Sequence, residues 1–460
     1  MLRLAFFVIL LLASNGFAAI YIVTRNDDRN LTCISGTDCS LREAIKATNS
    51  TPADDIIRFR PNVGTIMLDG VEIAITNNGK LAINGNGADI QTIDGGPGEN
   101  RIFYIVGANV TVRSLSLTGG NAAGTVPLFN LQGGAIYVNG GSLTLERMNI
   151  SGNTATSGGL AGAVFYFAGF GTPVNRIISS TFSYNQTATS CGALFNSGSN
   201  LTIVNSTFSG NSAQTGGAIC NDGALSLRNV TISENIGIQG GGGLLQGQSQ
   251  TNLANTIIAG NIGPVGSPEI LSNGGVVSLG NNLIGDSPGD STNTGSPIAY
   301  QINDIRDVPP QLGPLLLNGG QVPSRILNAG SPAIDAGSNV SAVDPSNAGI
   351  RLARDARDFA RIVGAVVDIG AIEFGSANLM PLISGRVTIR SRLRARGIVA
   401  LTDVYGNVFS THTNQAGTFR LFLPQAGRNK IASVSSKQAF FQFNWIYVSD
   451  DMDELNFVDF

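Results

Sequence analysis

The densest set of reactive side chains lies in the last third of the chain. There Asp335, Asp355, Asp358, Asp368 and Glu373 alternate with Arg351, Arg354, Arg357 and Arg361. Converging carboxylates would suit calcium or a sugar, because hard cations take oxygen ligands and sugar hydroxyls donate to carboxylates. The interleaved arginines favour a structural reading, in which Arg–Asp pairs lock irregular loops and satisfy the charges within the chain. Asp335, Asp355, Asp358 and Asp368 are therefore weak metal candidates, and calcium is the one cofactor considered. Elsewhere acids are sparse: Glu146, Asp222 and Glu234 stand nearly alone, and Asp54 and Asp55 read as turn residues. Glycoside hydrolysis needs two carboxyl groups set apart across the scissile bond, and lyase chemistry commonly needs carboxylate-bound calcium beside a base. No evident pair of acids supplies either. His412 is the only histidine, too few for a zinc site and poorly placed for a triad. No catalytic residue is assigned.

Two segments are candidates for binding. In RSRLRARG, Arg390, Arg392, Arg394 and Arg396 alternate with smaller or apolar residues. An extended backbone would put all four guanidinium groups on one face, suited to anionic glycans, envelope phosphates or a carboxylate-rich partner. The same pattern would serve equally as a charged edge strand that blocks sheet association. The second segment holds Tyr137, Phe165, Tyr166, Phe167 and Phe170, clustered near the GFGTPV insertion. FYFAGF is apolar on both alternating faces, so an outward ring, with Tyr166 and Phe170 as the candidates, would form a carbohydrate platform or docking patch.

The elements that must carry these residues are repeats. LTIVNSTFSGNSAQTGGAI from Leu201 is echoed by LSLRNVTISENIGIQGGGGL from Leu225, a step of 24 residues. Units end at Asn121, Asn153, Asn185, Asn211, Asn235 and Asn261, with steps of 32, 32, 26, 24 and 26 residues. A Gly/Ala marker accompanies them: GGAIY at Gly133, GAVF at Gly162, GALF at Gly192, GGAI at Gly216 and GGGLL at Gly241. Short alternating runs predict strands that each pair with an equivalent one coil away, aliphatic side chains inward. Recurrent asparagines would bond up and down the stack. Ser40 and Glu43 predict a capping box opening a short amphipathic helix to Asn49, which covers the exposed end. VVDIGAIEF (Val366 to Phe374) reads as the strand finishing the stack. The fold class expected is all-β: a right-handed single-stranded parallel β-helix with an N-terminal capping helix, followed by a small antiparallel β-sandwich.

Composition agrees with a stack that needs little bulk: 59 glycines, 7% aromatic and 13% charged residues in 460. A net charge of −3 argues against nucleic acid as a partner. MLRLAFFVILLLASNGFAA has a short basic start, an apolar run and a small-residue exit, which predicts a signal peptide cleaved near Ala18 or Ala19, with no membrane span afterwards. The domains expected are residues 1–19 signal peptide, 20–375 capped β-helix, 376–382 linker and 383–460 sandwich. In an oxidising compartment Cys33 and Cys39 are expected to bridge. Cys191 and Cys220 lie in adjacent repeats, with Cys191 in register with Gly216 and Cys220 with Phe195, and either a bridge or two buried thiols fits. The sequons at Asn149, Asn205 and Asn229 read as repeat grammar, not as glycosylation sites.

CSLREAI from Cys39, the Asn/Gly-rich repeats and the stretch from SPAIDAG to Phe374 together resemble bacterial secreted parallel β-helix proteins with a CSLREAI-type start and a choice-of-anchor-like end. The GGAI and FSGN elements also resemble the adhesin-like repeats of chlamydial-type polymorphic outer-membrane proteins. The likeness covers about residues 20 to 375. The tail from Ser384, with TNQAGTFR and LPQAG, resembles carboxypeptidase-regulatory-like, transthyretin-like sandwiches. This resemblance implies export and extracellular or cell-surface residence; together with the candidate binding segments, the function expected is a binding or adhesin-like protein presenting an elongated surface to a glycan or envelope component. The alternative is a polysaccharide lyase or glycoside hydrolase working in a groove of the helix. Ligand and oligomeric state are not legible.

Overall fold

A computed structural model describes residues 18–376, apart from 77–78, 99, 124–130, 157, 170, 265–268, 288–290 and 293–297. Beyond these it describes 382–388, 398–402, 408–413, 418–422, 429–435, 440–447 and 452–458. The expected signal peptide falls almost entirely outside this set.

Each coil contributes one strand to each of three parallel sheets, as in Ile136–Asn139, Ser142–Glu146 and Asn149–Ser151. These are called faces one, two and three. They contain 9, 10 and 10 strands, and a fourth row of short strands such as Thr154–Ala155 joins four coils. Register follows the repeat: Leu201 lies beside Leu225 and Phe208 beside Ile232. Inward positions stack like on like, and the Phe182 and Phe208 rings lie 4.7 Å apart and nearly parallel. Along face-two strands such as Ser142–Glu146 buried positions alternate with more exposed ones, whereas face-three strands such as Thr181–Ser183 and Thr207–Ser209 are buried throughout, and one continuous aliphatic core runs through the coils.

The corners explain the small-residue markers. Between faces two and three the chain turns at one left-handed residue per coil: Ser114, Arg147, Ser179, Asn205, Asn229, Asn255 and Asn281. Asparagine tolerates this conformation, which is why it recurs there. In the Gly/Ala marker, adjacent coils approach so closely that a Cβ on Gly192 would sit 2.0 Å from the Gly217 carbonyl oxygen. Only glycine fits that approach.

Helix α1, Leu41–Asn49, caps the first coils as expected. The Ser40 hydroxyl accepts from the Glu43 N–H at 3.2 Å, and the Ser40 N–H donates to Glu43 Oε2 at 2.9 Å. Leu41, Ala44, Ile45 and Thr48 form its buried side. Nearby, Cys33 and Cys39 are bridged across a Cα separation of 4.4 Å.

Two expectations require correction. Residues 366–374 form no strand; they lie outside the stack, where Gly370 N–H donates to the Asn255 carbonyl and Ala371 N–H to Thr231 Oγ1. Asn121 sits one residue past the repeating asparagine position: its neighbour Gly120 occupies the slot and donates to Asn153 Oδ1 at 3.0 Å. The C-terminal strands form the expected small sandwich-like antiparallel sheets, with one parallel pairing, 382–388 with 452–458.

Candidate functional site

A ladder of buried carboxamides runs along the axis. Asn153 donates to Asn185 (3.0 Å), Asn185 to Asn211 (2.9 Å), Asn211 to Asn235 and Asn235 to Asn261 (both 2.8 Å). Asn261 donates in turn to Glu269 Oε2 at 2.6 Å, so a carboxylate ends the row. Burial pushes the Glu269 carboxyl up to about 7, despite donation from Asn261 and Gly260. Burial likewise raises Glu373 to about 7, against the opposing charge of Arg361.

Each of these groups holds its proton more tightly when folded than when unfolded, where a glutamate titrates near 4.5. Their contribution is therefore complete below about pH 4.5 and is lost as pH rises through about 7. Glu269→Gln is expected to flatten stability against pH between these limits, by up to roughly 3 kcal/mol. Urea midpoints measured at pH 5 and pH 8 test this; an unchanged slope in the variant rejects the assignment.

The terminal acid–arginine cluster is a strap laid along the outside of the helix. Residues 312–327 form a hairpin over face three, where Thr181 Oγ1 donates to the Pro323 carbonyl and Arg325 reaches Ser233 (3.3 Å) and Glu234 (2.6 Å). Further along, the corner asparagines hold the strap: Asn205 donates to the Arg354 carbonyl (2.7 Å), Asn255 to Ser338 (2.9 Å) and Asn281 to Ala336 (2.9 Å). Asp344 pairs with Arg176, and buried Asp358 pairs with Arg147 at 2.9 Å across 211 residues. This explains two of the sequons, since Asn205 and Asn229 are buried at the corner.

The acids proposed for metal have protein donors around them. Asp355 accepts from the N–H groups of Arg357, Phe359 and Glu373 and from the Arg357 guanidinium at 2.6 and 3.0 Å. Asp368 accepts from Asp335 N–H at 2.7 Å and from Phe374 N–H. Asp335 is brought to Asp368 through its backbone. Among the described residues no three of His, Cys, Asp and Glu converge as a metal site. In the coils, burial alone would raise the Glu146 carboxyl, but Arg147 and Arg113 hold it below its ordinary range. Glu234 is paired with Arg325.

The aromatic candidates separate. Tyr166 is not an outward ring: it is fully buried inside the coil, in register with Asn196 on the next one. Strand alternation decides this, because Val164 also points inward. Phe165 stands on the outer side of face one with Tyr104, Tyr137 and Phe195, in a column of rings 5.1 to 5.4 Å apart. Below it Cys191 and Cys220 are bridged, with Cα atoms 5.2 Å apart, and Phe195 is the register neighbour of Cys220 as expected. Among the described rings of this segment Phe167 is the exposed one. Phe170, Arg390, Arg392, Arg394 and Arg396 lie outside the described residues.

One surface was not legible as a site. The outward column of face two places Thr111, Thr144, Arg176, Thr202, Ser226 and Asn252 side by side on successive strands. These residues are half-buried, and Arg176 is tied to Asp344. Alternation in each strand is the signal that would have located them.

The architecture is that of a parallel β-helix with a capping helix and an external strap. Comparison with protein-family models, curated proteins and solved structures found no match in any of the three. Among the described residues no helix is long and apolar enough to cross a membrane.

Proposed function

We propose that this chain is an exported, extracellular or cell-surface binding protein of adhesin-like character, presenting its elongated flank to a glycan or another envelope component. The observation that carries this reading is the outward column of face two. Thr111 and Thr144 stand in register, as do Thr202, Ser226 and Asn252, each run at the roughly 4.8 Å strand spacing of a parallel sheet, with Arg176, held by Asp344, between the two runs. A row of hydroxyl and amide groups with a fixed repeat suits a polymer whose polar groups also repeat. The signal-like first 19 residues, two disulfides and the resemblance to secreted CSLREAI-type and polymorphic outer-membrane repeats support the location. The division into 20–375 and 383–460, with a linker at 376–382, belongs to the same proposal. So does the arginine stripe at 390–396 as a second contact for anions. No specific observation favours a lyase or hydrolase.

The test is a retention screen of the secreted protein against immobilised neutral and acidic polysaccharides and whole envelopes, with and without calcium, following product formation in parallel. Retention without product is expected. Product release, or retention on none of these materials, rejects the reading.

A further inference from the structure

The strap hairpin and face three enclose an open trough of about 600 Å³. Asn149, Ser151, Ser183 and Tyr184 line one side, and Leu315, Leu316, Leu317 and Pro323 the other. None of these residues is charged. Tyr184 occupies a slot that is Gly119, Gly152, Gly210 or Gly260 in other coils, with a left-handed φ of 54°. A β-carbon makes that conformation costly, so a tyrosine there needs a compensating role. Glu234, the other non-glycine of left-handed φ in this column, has one: its side chain reaches Arg325 and anchors the hairpin. Tyr184 is 63% exposed, and its Cδ1 and Cε1 edge lies so close to Gly210 that a Cβ there would come within 2.7 Å. The glycine of the next coil therefore makes room for the ring. Across the trough, Leu316 and Leu317 are 56% and 54% exposed.

We infer that this trough is a subsite for a neutral oligosaccharide, with Tyr184 as its aromatic platform. The inference rests on the binding reading above and adds to the face-two column a separate place on face three with one ligand class. A sugar ring offers C–H groups to Tyr184 and the leucines, and hydroxyls to Asn149, Ser151 and Ser183. With no charged lining residue, the trough has nothing to select an acidic sugar. Its open form suits a chain segment better than a single small molecule.

The test compares the intact protein with Tyr184→Gly and Tyr184→Trp by calorimetric titration with cellohexaose, mannohexaose and xylohexaose, and with hexagalacturonate as the acidic probe. Tyr184→Gly restores the residue found in neighbouring coils, so its thermal midpoint is expected to be no lower than that of the parent. It is expected to lose at least tenfold in affinity for a neutral hexasaccharide that the parent binds, whereas Tyr184→Trp retains binding. Equal binding by Tyr184→Gly and the parent overturns the site and leaves the broader reading standing. Binding of hexagalacturonate alone does the same. If the parent binds none of the four but is retained on envelopes, the subsite falls; if it is retained on nothing, both readings fall.

Discussion

Asn211→Ala is expected to be the most damaging single change within the coils. The Asn211 carboxamide oxygen accepts from both the backbone N–H (3.0 Å) and the side chain (2.9 Å) of Asn185, while its Nδ2 donates to the Phe182 carbonyl (2.9 Å) and to Asn235 (2.8 Å). Asn211 is fully buried, so water cannot replace these partners. Each buried group left unpaired costs about 1–3 kcal/mol, and the Asn185 N–H and amide both lose their acceptor. A loss of about 3–5 kcal/mol follows. Because stability in a stacked repeat is largely a sum of neighbour contacts, the loss should centre on the coils of Asn185 and Asn235. Hydrogen exchange of the amides around Phe182 and Ile232 would report it as lost protection confined to those coils. Unchanged protection there would mean that the ladder is incidental to stability.

Asp355→Ala is expected to free the strap while sparing the coils. Asp355 is fully buried and receives three backbone N–H groups and the Arg357 guanidinium. Removing the carboxylate strands a buried cation and three donors, a change that costs about 3–5 kcal/mol. That exceeds what the remaining Arg357 contacts, to the Glu373 carbonyl and Ser376, can offset. Limited trypsin digestion should then cut at Arg354 or Arg357 in the variant, two sites at which the parent resists under the same conditions. Far-UV circular dichroism should stay near that of the parent, since the parallel sheets do not depend on this loop. An unchanged digestion pattern would show that the strap is held elsewhere.

These two predictions differ in how far they were foreseeable. The ladder was legible because Asn153, Asn185, Asn211, Asn235 and Asn261 recur with the strands beside them, and a parallel stack brings equal positions together. Asn121 misled because Gly120, one residue earlier, fills the slot, and a shift of one position leaves the sequence motif nearly unchanged. The aromatic segment failed for a similar reason: in FYFAGF both faces are apolar, so the pattern carries no sign of which ring points inward. Tyr184 passed unnoticed because STFSYN reads as one more variant of STFSGN; only its φ value and exposure mark it.

The chain's own order determined the coil period, the inward aliphatic columns, the Ser40–Glu43 cap and the pairing of Phe195 with Cys220, because each depends on neighbours one repeat away or closer. Tertiary structure alone decided the path of residues 312–376 and, with it, the fate of the acids and arginines. Contacts such as Arg147 with Asp358 join positions 211 residues apart, and Asn205, Asn255 and Asn281 hold backbone carbonyls of a segment that has no repeat. A bond to a carbonyl leaves no residue-type signature on the accepting side, so periodicity could not announce where the strap would lie.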